Sequence, residues 1–238
     1  MRLDKYLANS GIGTRSEIKK IIAKGLVQVN SVTIKDCGAK VTEGDEVLVS
    51  GEQISSEEFL YFIMDKPECV LTAMEDPRLS TIGDLIPANL KNRKLSPVGR
   101  LDYHTTGLII ITNDGTLSHR LTSPKYKIPK TYLVGYEGEK LTHEHVELFA
   151  QGITLHDTDE DIELKPAKLE LRDDSTCLLT ISEGKTHQVK RMLAHFGRSV
   201  VTLRRISIGE IKTPEGAPGE LIKLNSGEVA YLKRETGL

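Results

Sequence analysis

Hydrophobic and polar positions follow two rhythms along this chain. Ile18, Ile21 and Ile22 recur at i, i+3 and i+4, one face of a helix, while Arg15, Lys19, Lys20 and Lys24 point elsewhere. Just upstream, Thr14-Arg15-Ser16-Glu17 has the spacing of a capping box, in which the Thr14 hydroxyl accepts from the Glu17 amide and Glu17 reaches back to Thr14. The helix is therefore expected to start at Arg15, and Gly25 is placed to end it. A two-residue rhythm then takes over at Val27-Gln28-Val29, with Asn30-Ser31 as a turn, then at 32–34 and at Val47-Leu48-Val49. Residues 1–50 read as a unit of two helices and a few short strands, followed by a linker over 51–58 that lacks any apolar pattern. A second domain is expected over 59–238. Its apolar, strand-like runs fall at 60–64, 108–111, 132–134, 177–181 and 200–203. Val189, Met192, Leu193 and Phe196 repeat at helical spacing and leave His187, Lys190, Arg191 and Ala194 on the opposite face. Strands outnumber helices without a regular strand-helix-strand alternation, so the expected class is α+β: a mixed, mainly antiparallel sheet with flanking helices.

Composition narrows this picture. With 38% hydrophobic and 28% charged residues, the 238-residue chain is neither collagen-like nor disordered. Its longest apolar runs, such as 59–64, fall far short of the roughly 20 residues needed to cross a bilayer, and the first residues mix both charge signs with no apolar stretch. A cytoplasmic protein without a membrane partner is the expectation. Cys37, Cys69 and Cys177 are widely spaced, with no CxxC pair, and read as reduced packing residues. The net charge of −2 conceals segregation. Basic segments at 1–40, 91–132 and 183–212 alternate with acidic ones, the strongest at 137–174, which suits a basic face with an acidic back and hence a nucleic-acid binder.

Candidate chemistry centres on Gly99-Arg100-Leu101-Asp102-Tyr103-His104-Thr105-Thr106-Gly107, which leads into the apolar run at 108–111. A carboxylate in a glycine-bracketed loop before a buried strand is rigidly placed yet reachable, although Asp102 capping a turn fits the local pattern as well. Two commoner motifs fail. Ile111-Thr112-Asn113-Asp114-Gly115-Thr116 has threonine where a phosphate-attacking aspartate is required, so Asp114-Gly115 reads as a turn. Gly184-Lys185-Thr186 lacks the earlier glycine of a phosphate-binding loop, since Leu179 stands there. His143 and His145 lie in an acidic, loop-prone stretch without further spaced ligands, so no metal is expected.

Two resemblances follow from these motifs. From Arg2-Leu3-Asp4-Lys5-Tyr6-Leu7 through Gly13-Thr14-Arg15 to Val27-Gln28-Val29-Asn30, the N-terminal unit resembles the alpha-L RNA-binding module of a ribosomal small-subunit protein. That implies a basic helix face, Arg15, Lys19, Lys20 and Lys24, docked on RNA backbone, which gives affinity and salt dependence without sequence reading. The Asp102 loop, Thr112-Asn113-Asp114-Gly115, Lys130-Thr131-Tyr132 and the stretch from Glu183-Gly184-Lys185-Thr186-His187-Gln188 to Met192 resemble, in order, the motifs of the RsuA-type ribosomal-RNA pseudouridine synthases. The resemblance spans about 1–50 and 60–212 and is weak over 137–165. It implies a uridine-to-pseudouridine isomerase with Asp102 as nucleophile, Tyr132 stacking on the target base, and Lys190 as the cation beside Asp102, with Arg191 as the alternative. No cofactor is implied. An aspartate of ordinary pKa, about 3.9, is ionised at neutral pH and can attack the nucleotide covalently; the favoured route is attack at the sugar anomeric carbon through a glycal, with attack on the base ring left open. Because a stacked uridine hides its reacting atoms, it must be extruded, and Arg100, Lys127, Lys130, Lys185, Arg191 and Arg205 are candidate RNA contacts, with His104 a further phosphate-positioning candidate. The implied partner is ribosomal RNA, small-subunit by the branch resembled, in a partly assembled subunit, met by a monomer. The alternatives are a large-subunit synthase, a noncatalytic RNA-binding assembly factor, and an unrelated aspartate-dependent hydrolase.

Overall fold

In the computed structural model, residues 1–42, 44–54, 59–156 and 161–238 are described, and they divide into two units. The first comprises Met1–Leu60 and Ile86–Leu95. It opens with α1 (Leu3–Asn9) and α2 (Arg15–Ala23), followed by β1 (Val27–Val29), β2 (Val32–Thr33), β3 (Val47–Val49) and β4 (Glu52–Gln53) in an antiparallel sheet of order β2-β1-β3-β4. The capping box forms as expected: the Glu17 amide donates to Thr14 Oγ1 at 3.4 Å and the Thr14 amide donates to Glu17 Oε2 at 2.7 Å. Gly25, at φ +72°, ends the helix. Ile18 and Ile22 are fully buried with Leu3, Leu7, Val27 and Val47, so the apolar stripe read in the sequence is the core of this unit. The linker expected over 51–58 is corrected at its start, because Glu52 and Gln53 pair with β3; residues 55–58 lie outside the described residues.

The second unit, Tyr61–Leu85 and Ser96–Leu238, is built on one large sheet. Its elements are β5 (Tyr61–Lys66), α3 (Ile82–Leu85), β6 (Ser96–Pro97), β7 (Thr106–Thr112), α4 (Gly115–Thr122), β8 (Lys130–Glu137), α5 (His143–Gln151), β9 (Thr154–His156), β10 (Asp161–Glu163), β11 (Lys168–Leu171), β12 (Thr176–Ile181), α6 (Gln188–His195), β13 (Ser199–Ile208), β14 (Ile211–Lys212), β15 (Leu221–Lys223) and α7 (Ser226–Glu235). Sheet order is β11-β12-β8-β13-β7-β5-β15, with β14 on β13 and β6 on β7; β13 and β7 run parallel and every other pair is antiparallel. This is the mixed, mainly antiparallel α+β architecture expected. The run Leu108 to Ile111 is wholly buried, and Leu108 and Ile110 pack with Leu117 and Leu121 of α4 and Leu232 of α7. Burying such side chains contributes about 1.5–3 kcal/mol each, as suits β7, an interior strand between β13 and β5.

Three local readings are corrected. Asp114-Gly115 is a helix start rather than an isolated turn: Asp114 Oδ1 accepts the Leu117 amide at 3.0 Å, and Oδ2 accepts from the Tyr61 hydroxyl at 2.9 Å. The stretch holding His143 and His145 is α5 rather than loop, with His145 Nδ1 accepting the Thr142 amide at 3.1 Å. Among the cysteines, Cys177 is buried in β12, whereas Cys69 is exposed, its Sγ 3.9 Å from His104 Nδ1.

Candidate active site

The loop before β7 is tied down along its length. The Thr72 hydroxyl donates to the Leu101 carbonyl at 2.7 Å and receives the Leu101 amide at 3.1 Å, and the Cys69 amide donates to the Tyr103 carbonyl at 3.0 Å. Beneath it lies Lys66, wholly buried at the end of β5, whose ammonium donates to the carbonyls of Val70 at 2.7 Å, Pro67 at 2.9 Å and Tyr103 at 3.4 Å. Burial pushes the pKa of Lys66 down to about 8, against a smaller opposing pull from Cys69, Glu68 and Asp102. Gly107 closes the motif for a steric reason. Its φ is +102°, and a Cβ there would strike the backbone carbonyl of Arg205 where β7 runs beside β13.

Asp102 stands at the end of this scaffold, its side chain about one-third exposed. Lys190 Nζ lies 3.5 Å from Oδ2 and His187 Nε2 lies 3.5 Å from Oδ1. Both partners come from the start of α6, where His187 precedes the helix in a left-handed conformation, φ +51°. The turn that delivers them is clamped by a buried pair: Gln188 Nε2 donates to Glu183 Oε1 at 2.9 Å, and Gln188 Oε1 receives the Lys185 amide at 2.9 Å. Glu183 also accepts the Lys165 amide at 2.9 Å. Motif residues that look interchangeable in sequence therefore have distinct tasks, Glu183 and Gln188 shaping the turn while His187 and Lys190 face the carboxylate.

Asp102 opens onto a cavity of about 90 Å³ walled by Tyr132 of β8 and Leu203 of β13, with Arg100, Lys185 and His187 at its edge. Tyr132 is 8% exposed. The catalytic candidates Asp102, Tyr132 and Lys190 thus converge, with Arg100 and Lys185 beside them. Lys130 and Arg205 line an adjoining cavity. Arg191 is half-buried on α6, outside both linings, and Lys127 is exposed before β8. Arg15, Lys19, Lys20 and Lys24 are exposed on or at the end of α2 in the first unit. Sequence reasoning assigned no role to His187, although its i, i+3 spacing from Lys190 was the available signal; Lys66 offered none, because nothing in the sequence marks a lysine whose ammonium ends against carbonyls. Donor atoms of Glu68, Cys69 and His104 also lie within 4.8 Å of one another; all three residues are exposed and none lines the Asp102 cavity.

An anchored carboxylate, flanked by two basic side chains at the mouth of a cavity with an aromatic wall and a cationic edge, has the chemistry to serve as a nucleophile toward an anionic, ring-bearing substrate. Comparison with known proteins gives that class its family. Residues 60–195 match the family described as RNA pseudouridylate synthase and residues 1–47 match the S4 domain, and the chain belongs to that synthase family, whose members isomerise uridine to pseudouridine in RNA. It is 40% identical to the uncharacterized RNA pseudouridine synthase YtzG of Bacillus subtilis, covering 98% of each chain. It is 39% identical to the ribosomal small subunit pseudouridine synthase A of Haemophilus influenzae, covering 98% of this chain and 99% of the other. A crystal structure of a pseudouridylate synthase superposes with a TM-score of 0.68 at 38% identity, over 98% of this chain and 99% of that one.

Proposed function

We propose that this chain converts a uridine of ribosomal RNA, in the small subunit, to pseudouridine, with Asp102 as the nucleophile. One observation carries the reading: the Asp102 carboxylate lies between Lys190 and His187 at the mouth of the cavity that Tyr132 walls. The carboxylate is the form that attacks. Asp102 attacks the anomeric carbon as the bond from that carbon to N1 breaks with its electron pair leaving on uracil; the new bond to Asp102 then breaks, the carboxylate leaving with its electron pair, as the neighbouring C2′ proton is lost and a glycal forms. The freed base turns against Tyr132. Carbon 5 then bonds to the anomeric carbon as the C2′ proton is restored, the hydrogen of carbon 5 departs as a proton, and N1 is left protonated. The uridine enters extruded from its stack, at a cost of about a few kcal/mol offset by stacking on Tyr132 and by contacts of Arg100, Lys127, Lys185 and Arg191 with the strand. Arg15, Lys19, Lys20 and Lys24 on the S4 unit hold RNA backbone through charge. The reading needs no metal or cofactor and takes the chain as a cytoplasmic monomer, an RNA-binding module followed by a catalytic domain. Support for the small subunit comes from the near-full-length likeness to the Haemophilus enzyme of that name.

The test is tritium release from ribosomal RNA labelled at carbon 5 of uridine, offered as free small-subunit RNA, as partly assembled small subunits and as large-subunit RNA. Release confined to small-subunit substrates is expected. Release only from large-subunit RNA would move the target, and no release with RNA binding intact would make the chain an assembly factor.

A further inference from the structure

Behind Tyr132 lies a second cavity of about 120 Å³ that shares Arg100, Tyr132 and Gly184 with the Asp102 cavity. Among the described residues its charged lining is entirely cationic, with Arg100, Lys130 and Arg205 bordering it and no aspartate or glutamate. Register explains how they meet. Lys130 and Tyr132 lie two apart on β8 and so share a face, and Arg205 of β13 stands opposite Tyr132 across the ladder.

The two inner cations are poorly compensated. Arg205 is only 3% exposed; its Nε donates to the Leu108 carbonyl at 2.7 Å, and its buried Nη2 has no hydrogen-bond partner among the described residues. Lys130 donates to the Ile128 carbonyl at 3.2 Å, and burial together with the Arg205 charge pushes its pKa down to about 8. Two like charges withdrawn from water beside each other are costly unless an anion joins them, and buried polar groups are rarely left unpaired. Evolution of a purely structural core would place apolar residues here at lower cost. A guanidinium and an ammonium converging on one space is the geometry that holds a phosphate.

We propose that this cavity is an oxyanion site of phosphate size, with Arg205 and Lys130 as its inner ligands and Arg100 at its mouth. Its occupant is either a phosphodiester of the RNA strand or a free phosphate. The first source rests on the reading of Asp102 as the uridine nucleophile, because a uridine standing against one side of Tyr132 carries a phosphodiester on each side of its sugar. The site itself stands apart from that reading.

The probe is inorganic phosphate, titrated over the millimolar range into the full-length protein at constant ionic strength set with chloride, with the thermal midpoint as readout. A saturable rise is expected in the wild type and should vanish in Arg205→Met and Lys130→Met, with partial retention in Arg205→Lys. Absence of any rise beyond chloride in the wild type overturns the proposal without requiring a variant to fold. An equal rise in wild type and both methionine variants overturns it too, because the phosphate then sits elsewhere. Where the site holds, tritium-release kinetics separate the sources. A strand phosphodiester predicts KM for RNA raised about tenfold in the methionine variants, with phosphate competing against RNA; a free phosphate predicts unchanged KM and no competition. Failure of isomerisation in the wild type would leave the titration readable, so the two readings fail separately.

Discussion

At the residue scale, Asp102 and Lys66 are both charges fixed by the same loop, and they fail differently when removed. Asp102→Asn keeps the shape and hydrogen-bonding length of the side chain but removes the proposed nucleophile, so tritium release should fall by at least about three orders of magnitude while RNA affinity changes little. Lys190→Met should also cripple release, yet its pair with Asp102 is partly exposed and worth about 1 kcal/mol or less to folding, so denaturant unfolding should scarcely shift. Residual activity near wild type in Lys190→Met, with Arg191→Met inactive, would transfer the role to Arg191. Lys66→Met is the reverse case. It strands the carbonyls of Pro67, Val70 and Tyr103, so a loss of about 2–4 kcal/mol is expected. The pH dependence of that loss has a definite sign. Lys66 has a folded pKa of about 8, below the unfolded value of about 10.4, so the folded state carries the cost of a buried charge below about pH 8 and is relieved of it as pH rises. Wild type should therefore gain stability relative to Lys66→Met between about pH 7 and pH 9.5, measured by denaturant unfolding; a flat difference would mean that Lys66 titrates alike folded and unfolded.

At the level of elements, what was legible depended on whether one residue type served one structural purpose. The capping box of α2 was readable because Thr14 and Glu17 act within four residues of each other, and Thr14→Ala should destabilise the protein by about 1 kcal/mol, seen as a lowered denaturant midpoint with unchanged m-value. Strand β7 was readable because an unbroken aliphatic run fits only a doubly buried strand. The start of α4 was misread because an aspartate accepting an amide three residues on looks the same in a turn and at a helix cap, and GTLSHRLT offers only two core positions, Leu117 and Leu121. Lys130 and Arg205 read by charge as candidate RNA-backbone contacts; the partial burial of Lys130 and the near-complete burial of Arg205 come from β8 and β13 lying inside the sheet, a long-range pairing that local pattern does not contain. Gly107 shows the same limit. Its place in the motif was plain, but the reason for glycine is the Arg205 carbonyl on a strand about a hundred residues away in sequence. Gly107→Ala should cost at least about 3 kcal/mol, from the positive φ and the backbone collision together, and should appear as loss of soluble protein or a sharply lowered thermal midpoint.

On the scale of the whole molecule, the proposed reading assigns backbone binding by α2 and the chemistry at Asp102 to different units, and that division can be measured. The S4 unit presents Arg15, Lys19, Lys20 and Lys24 on or beside one nine-residue helix, while Asp102, Tyr132 and Lys190 belong to the other unit. In the proposed reading, charge on α2 contributes by releasing counterions from RNA, a term that scales with the number of phosphates met and carries no orientation at the reacting carbon. Reversing Lys19 and Lys20 to glutamate should therefore weaken RNA binding, flatten the dependence of log affinity on log salt by about 1–2, and raise KM at moderate salt. The rate at saturating RNA should remain near wild type, because uniform binding lost from both ground and transition states leaves kcat unaltered. Both lysines are exposed and the buried stripe of α2 is Ile18 and Ile22, so the fold should tolerate the reversal. An unchanged salt slope would make the basic helix a solvated surface and return all RNA affinity to the catalytic unit. A fall in kcat with the slope unchanged would instead mean that α2 sets the substrate's orientation, a task that counterion release cannot perform.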